Sequence, residues 1–281
     1  MKRLIITADD FGAAVEVNEA VEAGVRAGVL QAASLMTAGG AAADAVQRAR
    51  RLDGLRVGLH LVLVEGRPKL DPAQIPDLVG SDGRFRTDMA RLGADIFFRP
   101  SVQRQARLEI EAQFEAFAAT GIKLDHVNTH KHYHLHPTLA GLILSIGRRY
   151  GLRASRAPIE PRALLRAVDP AAAPGPAFVT RPWASAVQRR FRAAGVTTAD
   201  QVLGLAWSGA MTPRRVQGLI RALPDGLTEL YLHPAVSGGF DGAAPGYLYE
   251  AELAALLDPE TMAAIRASGA ALGAFSDFIE P

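Results

Sequence analysis

An alternation constrains this chain more than any other feature. Short apolar runs at residues 4–8, 33–37, 57–62, 124–129, 152–156, 202–207, 229–232 and 271–275 are separated by segments of helical periodicity at 15–27, 41–51, 102–119, 138–150, 184–194, 213–223 and 259–268. In the third helical segment Ile110, Phe114 and Phe117 fall on one face. Strands that alternate with helices predict a parallel sheet. Seven or eight such units within 281 residues predict a closed or nearly closed α/β barrel in a single domain, 1–281, with a doubly wound open sheet as the alternative. Three stretches break the rhythm, 64–100, 157–182 and 235–249, and loops of that length in a compact domain are often functional.

Composition excludes several classes. There is no cysteine, hence no disulfide framework, thiolate metal site or cysteine nucleophile. The 31 Lys and Arg are interspersed with 29 Asp and Glu, so no basic surface for nucleic acid is predicted. The first apolar run is too short for a signal peptide, and no run approaches the ~20 apolar residues of a membrane span. The expectation is a soluble cytoplasmic protein.

The first strand ends in two acids, Leu4-Ile5-Ile6-Thr7-Ala8-Asp9-Asp10-Phe11-Gly12. Strand alternation would send the two carboxylates to opposite faces. Two like charges at the rim of a core call for a cation nearby, and a metal ion would serve. Asp10 could equally cap a helix starting near Ala13. The sequence places His60 at the end of the third strand, and His126, His130, His132, His134 and His136 at or after the end of the fourth. His233 follows a further strand and precedes Pro234. In extended chain His130, His132, His134 and His136 would share one face. Parallel α/β folds carry their sites at the carboxyl ends of strands, where Asp9, Asp10, His60, His130 and His233 would converge. An Asp-His-His set can hold a metal with open positions, and a spare Asp and a spare His suit proton transfer. That chemistry is metal-assisted hydrolysis of an amide or ester. Neither a Gly-x-Ser-x-Gly elbow nor a P-loop nor a Gly-x-Gly-x-x-Gly turn is present.

Thr7–Gly12, Gly58–Leu61, the His130–Pro137 run and Leu232-His233-Pro234-Ala235 together resemble the YdjC-like carbohydrate deacetylases, which include the chitooligosaccharide deacetylases. The resemblance implies a deformed (β/α) TIM-like barrel of seven or eight mostly parallel strands. It implies one divalent metal ion, Zn2+ or Mg2+, held by Asp10, His60 and His130. His132 and His134 are the competing choices for the third ligand. Asp9 is implied as the base and His233 as the acid. The family often has an aspartate two residues before the histidine ligand, and here that position is Asn128. Residues 32–37 and 127–132 are most similar to the branch associated with hopanoid biosynthesis, implying a lipid-linked N-acetylated amino sugar as substrate. Phe85, Phe97, Phe98, Trp183 and Phe191, in or beside the long loops, would serve such a substrate or simply anchor the loops. Peripheral membrane contact and a homodimer are compatible with this reading. Two other functions remain open: another metal-dependent amide or phosphoester hydrolase, and a non-catalytic metal-stabilised sugar-binding protein.

Overall fold

A computed structural model describes residues 1–172 and 176–279. Seven parallel strands form one curled sheet: β1 (Lys2–Phe11), β2 (Ala32–Leu35), β3 (Arg56–Leu61), β4 (Leu124–Thr129), β5 (Gln201–Leu203), β6 (Gly226–Leu232) and β7 (Ala271–Gly273). The order is β4-β3-β2-β1-β6-β5. The ten residues of β1 serve two partners on one side, with Arg3–Ile5 pairing β7 and Thr7–Phe11 pairing β2. The sheet closes through main chain at 153–159. Arg156 N–H donates to Val127 O (3.2 Å) on the β4 side, and Val202 N–H donates to Ile159 O (2.8 Å) on the β5 side. The architecture is therefore a deformed (β/α) barrel and not an open doubly wound sheet. The strand expected at 152–156 survives only as isolated bridges, Val127↔Ser155 and Ala154↔Thr197. Pro158 and Pro161, which lack an N–H, stop it from extending into a ladder.

Ten helices surround the strands among the described residues: α1 (Val15–Arg26), α2 (Ala42–Ala49), α3 (Met89–Phe98), α4 (Pro100–Ala119), α5 (Pro137–Gly147), α6 (Arg162–Val168), α7 (Pro176–Ala193), α8 (Pro213–Arg221), α9 (Tyr249–Leu257) and α10 (Pro259–Ser268). Proline sits in the first turn of α4, α5, α8 and α10, where its missing N–H costs no hydrogen bond and its φ is already helical. Two of the expected loops are partly helical. Residues 64–100 contain α3, and 157–182 contain α6 and the start of α7, with 173–175 lying outside the described residues. Of the described helices, none is long and apolar enough to cross a membrane.

Strand alternation sorts the side chains into two environments. Leu4, Ile6 and Ala8 of β1 pack outward against the helices. Ile5, with Leu227, Tyr231 and Phe275, packs in a separate cluster inside the barrel. Thr7 and Asp9 share the parity of Ile5 and continue the inward row. The interior is thus apolar at its base and polar above it, at the carboxyl ends of the strands.

Candidate metal and catalytic centre

The end of β1 departs from regular strand geometry. Asp10 has φ 62°, and the β1–β2 register shifts between Ala8 and Phe11. Left-handed geometry at a non-glycine residue costs roughly 1–2 kcal/mol, so surrounding contacts must hold it. The bulge corrects the expectation of opposite faces, because both Asp9 and Asp10 line the same cavity. Nor does Asp10 cap a helix, since Ala14 stands at the N-cap of α1 without a side-chain bond. Gly12 takes φ 93° and donates its N–H to Asn18 Oδ1 (2.8 Å), turning the chain into α1.

Asp10, His60 and His130 converge. Asp10 Oδ1 lies 3.2 Å from His60 Nε2 and 3.4 Å from His130 Nδ1, and the two nitrogens are 3.5 Å apart. A tetrahedral ion with bonds of about 2.0–2.1 Å needs donors about 3.3–3.4 Å apart, so this triangle fits one. Asp10 Oδ1 is buried and has no hydrogen-bond partner. A buried acceptor left unpaired is costly, and a cation between the three donors removes the cost. Burial pushes the Asp10 carboxyl up, but His130 and His60 outweigh it and hold the group well below the carboxylate range. Burial likewise disfavours charge on His60, yet Asp10 and Asp9 raise its pKa overall. Asn128 Oδ1 accepts from His60 Nδ1 (2.7 Å), which leaves the Nε2 lone pair facing the triangle. The departure from the family's aspartate therefore keeps the orienting contact.

Asp9 is bound from several sides. Its Oδ1 accepts from Ser34 Oγ (2.9 Å), Asn128 Nδ2 (2.9 Å) and Arg156 Nη2 (2.9 Å), and its Oδ2 accepts from Arg156 Nη1 (2.6 Å). Arg156 is fully buried and also donates to Glu229 Oε1 from Nη2 (2.8 Å) and Nε (3.1 Å). Its guanidinium lies 4.4 Å from the centre of the Tyr231 ring. Burial raises the pKa of Asp9, but Arg156 and then His60 outweigh it and hold the carboxyl well below its usual range. Asp9 is thus held toward its carboxylate form, with one lightly bonded oxygen, Oδ2.

His233 stands between two tyrosine rings, Tyr231 at 5.4 Å and Tyr247 at 5.0 Å. Its backbone N–H donates to buried Glu252 Oε2, while Glu252 Oε1 accepts from Met211 N–H (2.8 Å). Glu252 Oε2 also lies 3.9 Å from His233 Nδ1.

The histidine run does not stay extended. Lys131 and His132 both take positive φ, 53° and 52°, inside a 3-10 turn at His130–Leu135. His130 alone of that run reaches the triangle. His132 Nε2 contacts Tyr231 Oη (3.2 Å), His134 Nδ1 contacts Thr129 Oγ1 (2.7 Å), and His136 Nε2 donates to Gly93 O (3.0 Å). Burial lowers the pKa of His132 and takes that of His134 down to about 3. His126 lies within β4 rather than at its end, paired with Asp125 (2.8 Å). Gly58 makes room for its ring, since a Cβ there would sit 2.5 Å from His126 Cε1.

The cavity that contains Asp9, Asp10, His60, His130 and His233 has a volume of about 740 Å3. Part of its lining comes from the 64–100 and 235–249 stretches, through Glu65, Phe85, Met89 and Tyr247. Phe85 faces the cavity, and Phe191 is core, stacked on His134. Phe97, Phe98 and Trp183 are exposed and lie outside it. Sequence reading missed Arg156 and Glu229. A signal was available for Glu229, a lone charge in an otherwise apolar strand-like run, but not for Arg156, whose run also holds Arg153 and Ser155.

A barrel with Asp-His-His donors at its strand ends, flanked by an ionised carboxylate and a further histidine, defines a candidate metal-assisted hydrolase centre. The YdjC-like protein family model matches residues 3–267, and the chain belongs to that family. It is 30% identical to a carbohydrate deacetylase of Geobacillus stearothermophilus over 98% of this chain and 97% of that protein. It is 32% identical to a human carbohydrate deacetylase over 83% of this chain and 74% of that one. With the Brevibacillus brevis carbohydrate deacetylase the identity is 34%, over 53% of this chain and only 56% of that protein's length. A solved structure from Enterococcus faecalis, of a protein proposed to cleave cellobiose phosphate, superposes with a TM-score of 0.77 at 23% identity. It covers 99% of both chains and speaks for the fold alone.

Proposed function

We propose that this protein is a metal-dependent carbohydrate deacetylase that hydrolyses the acetamide of an N-acetylated amino sugar. One observation carries the reading: Asp10, His60 and His130 form a metal-sized triangle in the same cavity as Asp9 and His233. Kinship with proteins named carbohydrate deacetylases supports the substrate class. A divalent ion held by the triad supplies Lewis acidity toward the acyl carbonyl and the attacking water. The spacing of the donors and the two imidazoles favour zinc over magnesium.

The chain's own residues do the rest. Asp9 accepts the water proton through Oδ2 as the water oxygen bonds to the acyl carbon. Arg156, Ser34 and Asn128 fix the direction of that oxygen. After the C–N bond breaks, Asp9 gives up the proton it took from water and His233 is reprotonated, so both residues return to their starting states with one water consumed. His233, clasped by Tyr231 and Tyr247, gives a proton to the nitrogen as the C–N bond breaks, leaving acetate and the amino sugar. We further propose that the apolar side of the cavity, with Phe85, Met89, Leu135 and Leu205, receives a hydrophobic aglycone such as a hopanoid.

His233→Ala tests the assignment of the acid. An amine leaves poorly without a proton, whereas a phenolate leaves readily. The variant should lose about 10²–10⁴-fold on the amide and far less on an activated aryl acetate. Equal losses on both would remove His233 from the role of acid.

A further inference from the structure

Three aromatic side chains that take no part in the catalytic cavity stand in water. Phe97 and Phe98, at the end of α3, are 50% and 76% exposed, and Trp183 on α7 is 57% exposed. They border one region, the start of α5. The Phe97 ring lies 6.0 Å from that of His136, the residue before α5, and Arg190 of α7 donates from Nη1 to Pro137 O (2.8 Å), in the first turn of α5. Trp183 precedes Arg190 by two helical turns on the same side of α7. Along α7, Ala184, Val187 and Phe191 are buried, which leaves Trp183, Arg181 and Arg189 outside.

Positive charge gathers on the same part of the chain. Residues 148–195 hold ten arginines and two acids, whereas the whole chain has 31 basic and 29 acidic residues, so the remainder carries an acidic excess. Arg166 of α6 and Arg181 and Arg189 of α7 are exposed and form no ion pair with any described residue. Unpaired like charges on one side of a molecule repel one another and are relieved by an anionic partner. We infer that this face docks on the surface of an anionic phospholipid bilayer. Trp183, Phe97 and Phe98 enter the interface, and Arg181 and Arg189 meet the lipid phosphates. Aromatic rings favour the headgroup level, and arginine stems lie along apolar surface while their guanidinium groups stay with the phosphates.

Nucleic acid is the poorer partner for the same charges. Phe97 and Phe98 stand edge to face, with ring centres 4.9 Å apart at 78°. That pair makes a wedge and not the flat platform on which bases stack. A wedge of two phenyl rings beside an exposed indole suits the apolar layer beneath lipid headgroups. Thr180, one turn before Trp183, lines the catalytic cavity, so docking sets that cavity beside the bilayer. Nothing in this surface depends on which bond the site cleaves.

Vesicle binding provides the test. The full chain would be sedimented with vesicles of phosphatidylcholine alone and of phosphatidylcholine with about 30 mol% phosphatidylglycerol. The protein should partition onto the anionic vesicles and only weakly onto the neutral ones, and added salt should loosen it. Trp207 is buried, so Trp207→Phe leaves Trp183 as the one reporting indole, and its emission should shift to the blue on anionic vesicles. Trp183→Ser and, separately, Phe98→Ser should weaken partition about tenfold, the factor that burial of a large apolar side chain contributes. Arg181→Gln/Arg189→Gln should weaken it about twentyfold, at roughly fivefold for each arginine near an anionic surface. No partition of the wild type, equal partition onto both vesicles, wild-type partition by all of these variants, or tighter binding to single-stranded RNA than to vesicles would overturn the proposal.

Discussion

Arg156→Met withdraws the buried cation that Asp9 and Glu229 share. Methionine fills similar length but donates nothing, so four hydrogen bonds of 2.6, 2.9, 2.8 and 3.1 Å vanish. Two carboxylates are then left in a site with almost no exposure. Breaking a buried pair in this way typically costs about 3–5 kcal/mol. At roughly 2–4 °C per kcal/mol for a domain of this size, Tm should fall by about 6–20 °C. The pH dependence should also reverse. In the wild type Asp9 has a depressed pKa, so its contribution is present above the ordinary carboxylate value of 3.8 and is lost as pH falls below it. Without Arg156, burial dominates and the pKa of Asp9 rises above that value. The variant should then gain stability as pH falls from neutrality toward about 5, because protonation relieves the buried charge. Thermal unfolding across pH 4–8 reads both effects, and Arg156→Met/Glu229→Gln should recover part of the loss. A Tm within ~2 °C of wild type, with the wild-type pH slope, would refute the reasoning.

Asp10→Ala, His60→Ala and His130→Ala should each lose bound metal by elemental analysis, whereas His132→Ala should keep it; the reverse pattern for His130 and His132 would reassign the ligand. Asp9→Asn should retain metal yet lose about 10²–10⁴-fold in kcat, because an amide cannot accept the water proton. Asn128→Ala should weaken metal affinity by about 10–100-fold, as loss of a group orienting a histidine ligand typically does, measured by competition with a chelator.

Much of this fold was legible because its signals are local. The runs that became β1 to β4 and the periodic segments that became α1, α4 and α8 each carry their pattern within a few turns of chain. Elements with mixed signals were misjudged. Residues 205–207 were expected to extend β5, but Gly204 takes φ 113° and ends the strand after Leu203. The helix α9 begins inside a stretch read as loop, and its mixed Glu and Leu pattern has little periodicity. Asp10, His60, His130, Asp9 and His233 could be named because they end strand-like runs. The geometry around them could not. No local pattern announces that Asp10 and His132 turn left-handed, yet that turn sends Asp10 inward and separates His130 from His132 and His134. Arg156 meets Asp9 across 147 residues and Glu229 across 73, distances that no window in the sequence spans. A charge inside a strand-like run, as at Glu229, signals a buried partner, but only the fold shows that the partner is Arg156.

Metal reconstitution tests the central claim most directly. Protein stripped by chelator would be titrated with Zn2+ while acetate release from an N-acetylglucosamine oligosaccharide is followed. The account predicts no release before addition, a rise that saturates near one equivalent of metal, and no rise in Asp10→Ala. Full turnover by the stripped protein, or by Asp10→Ala, would contradict it.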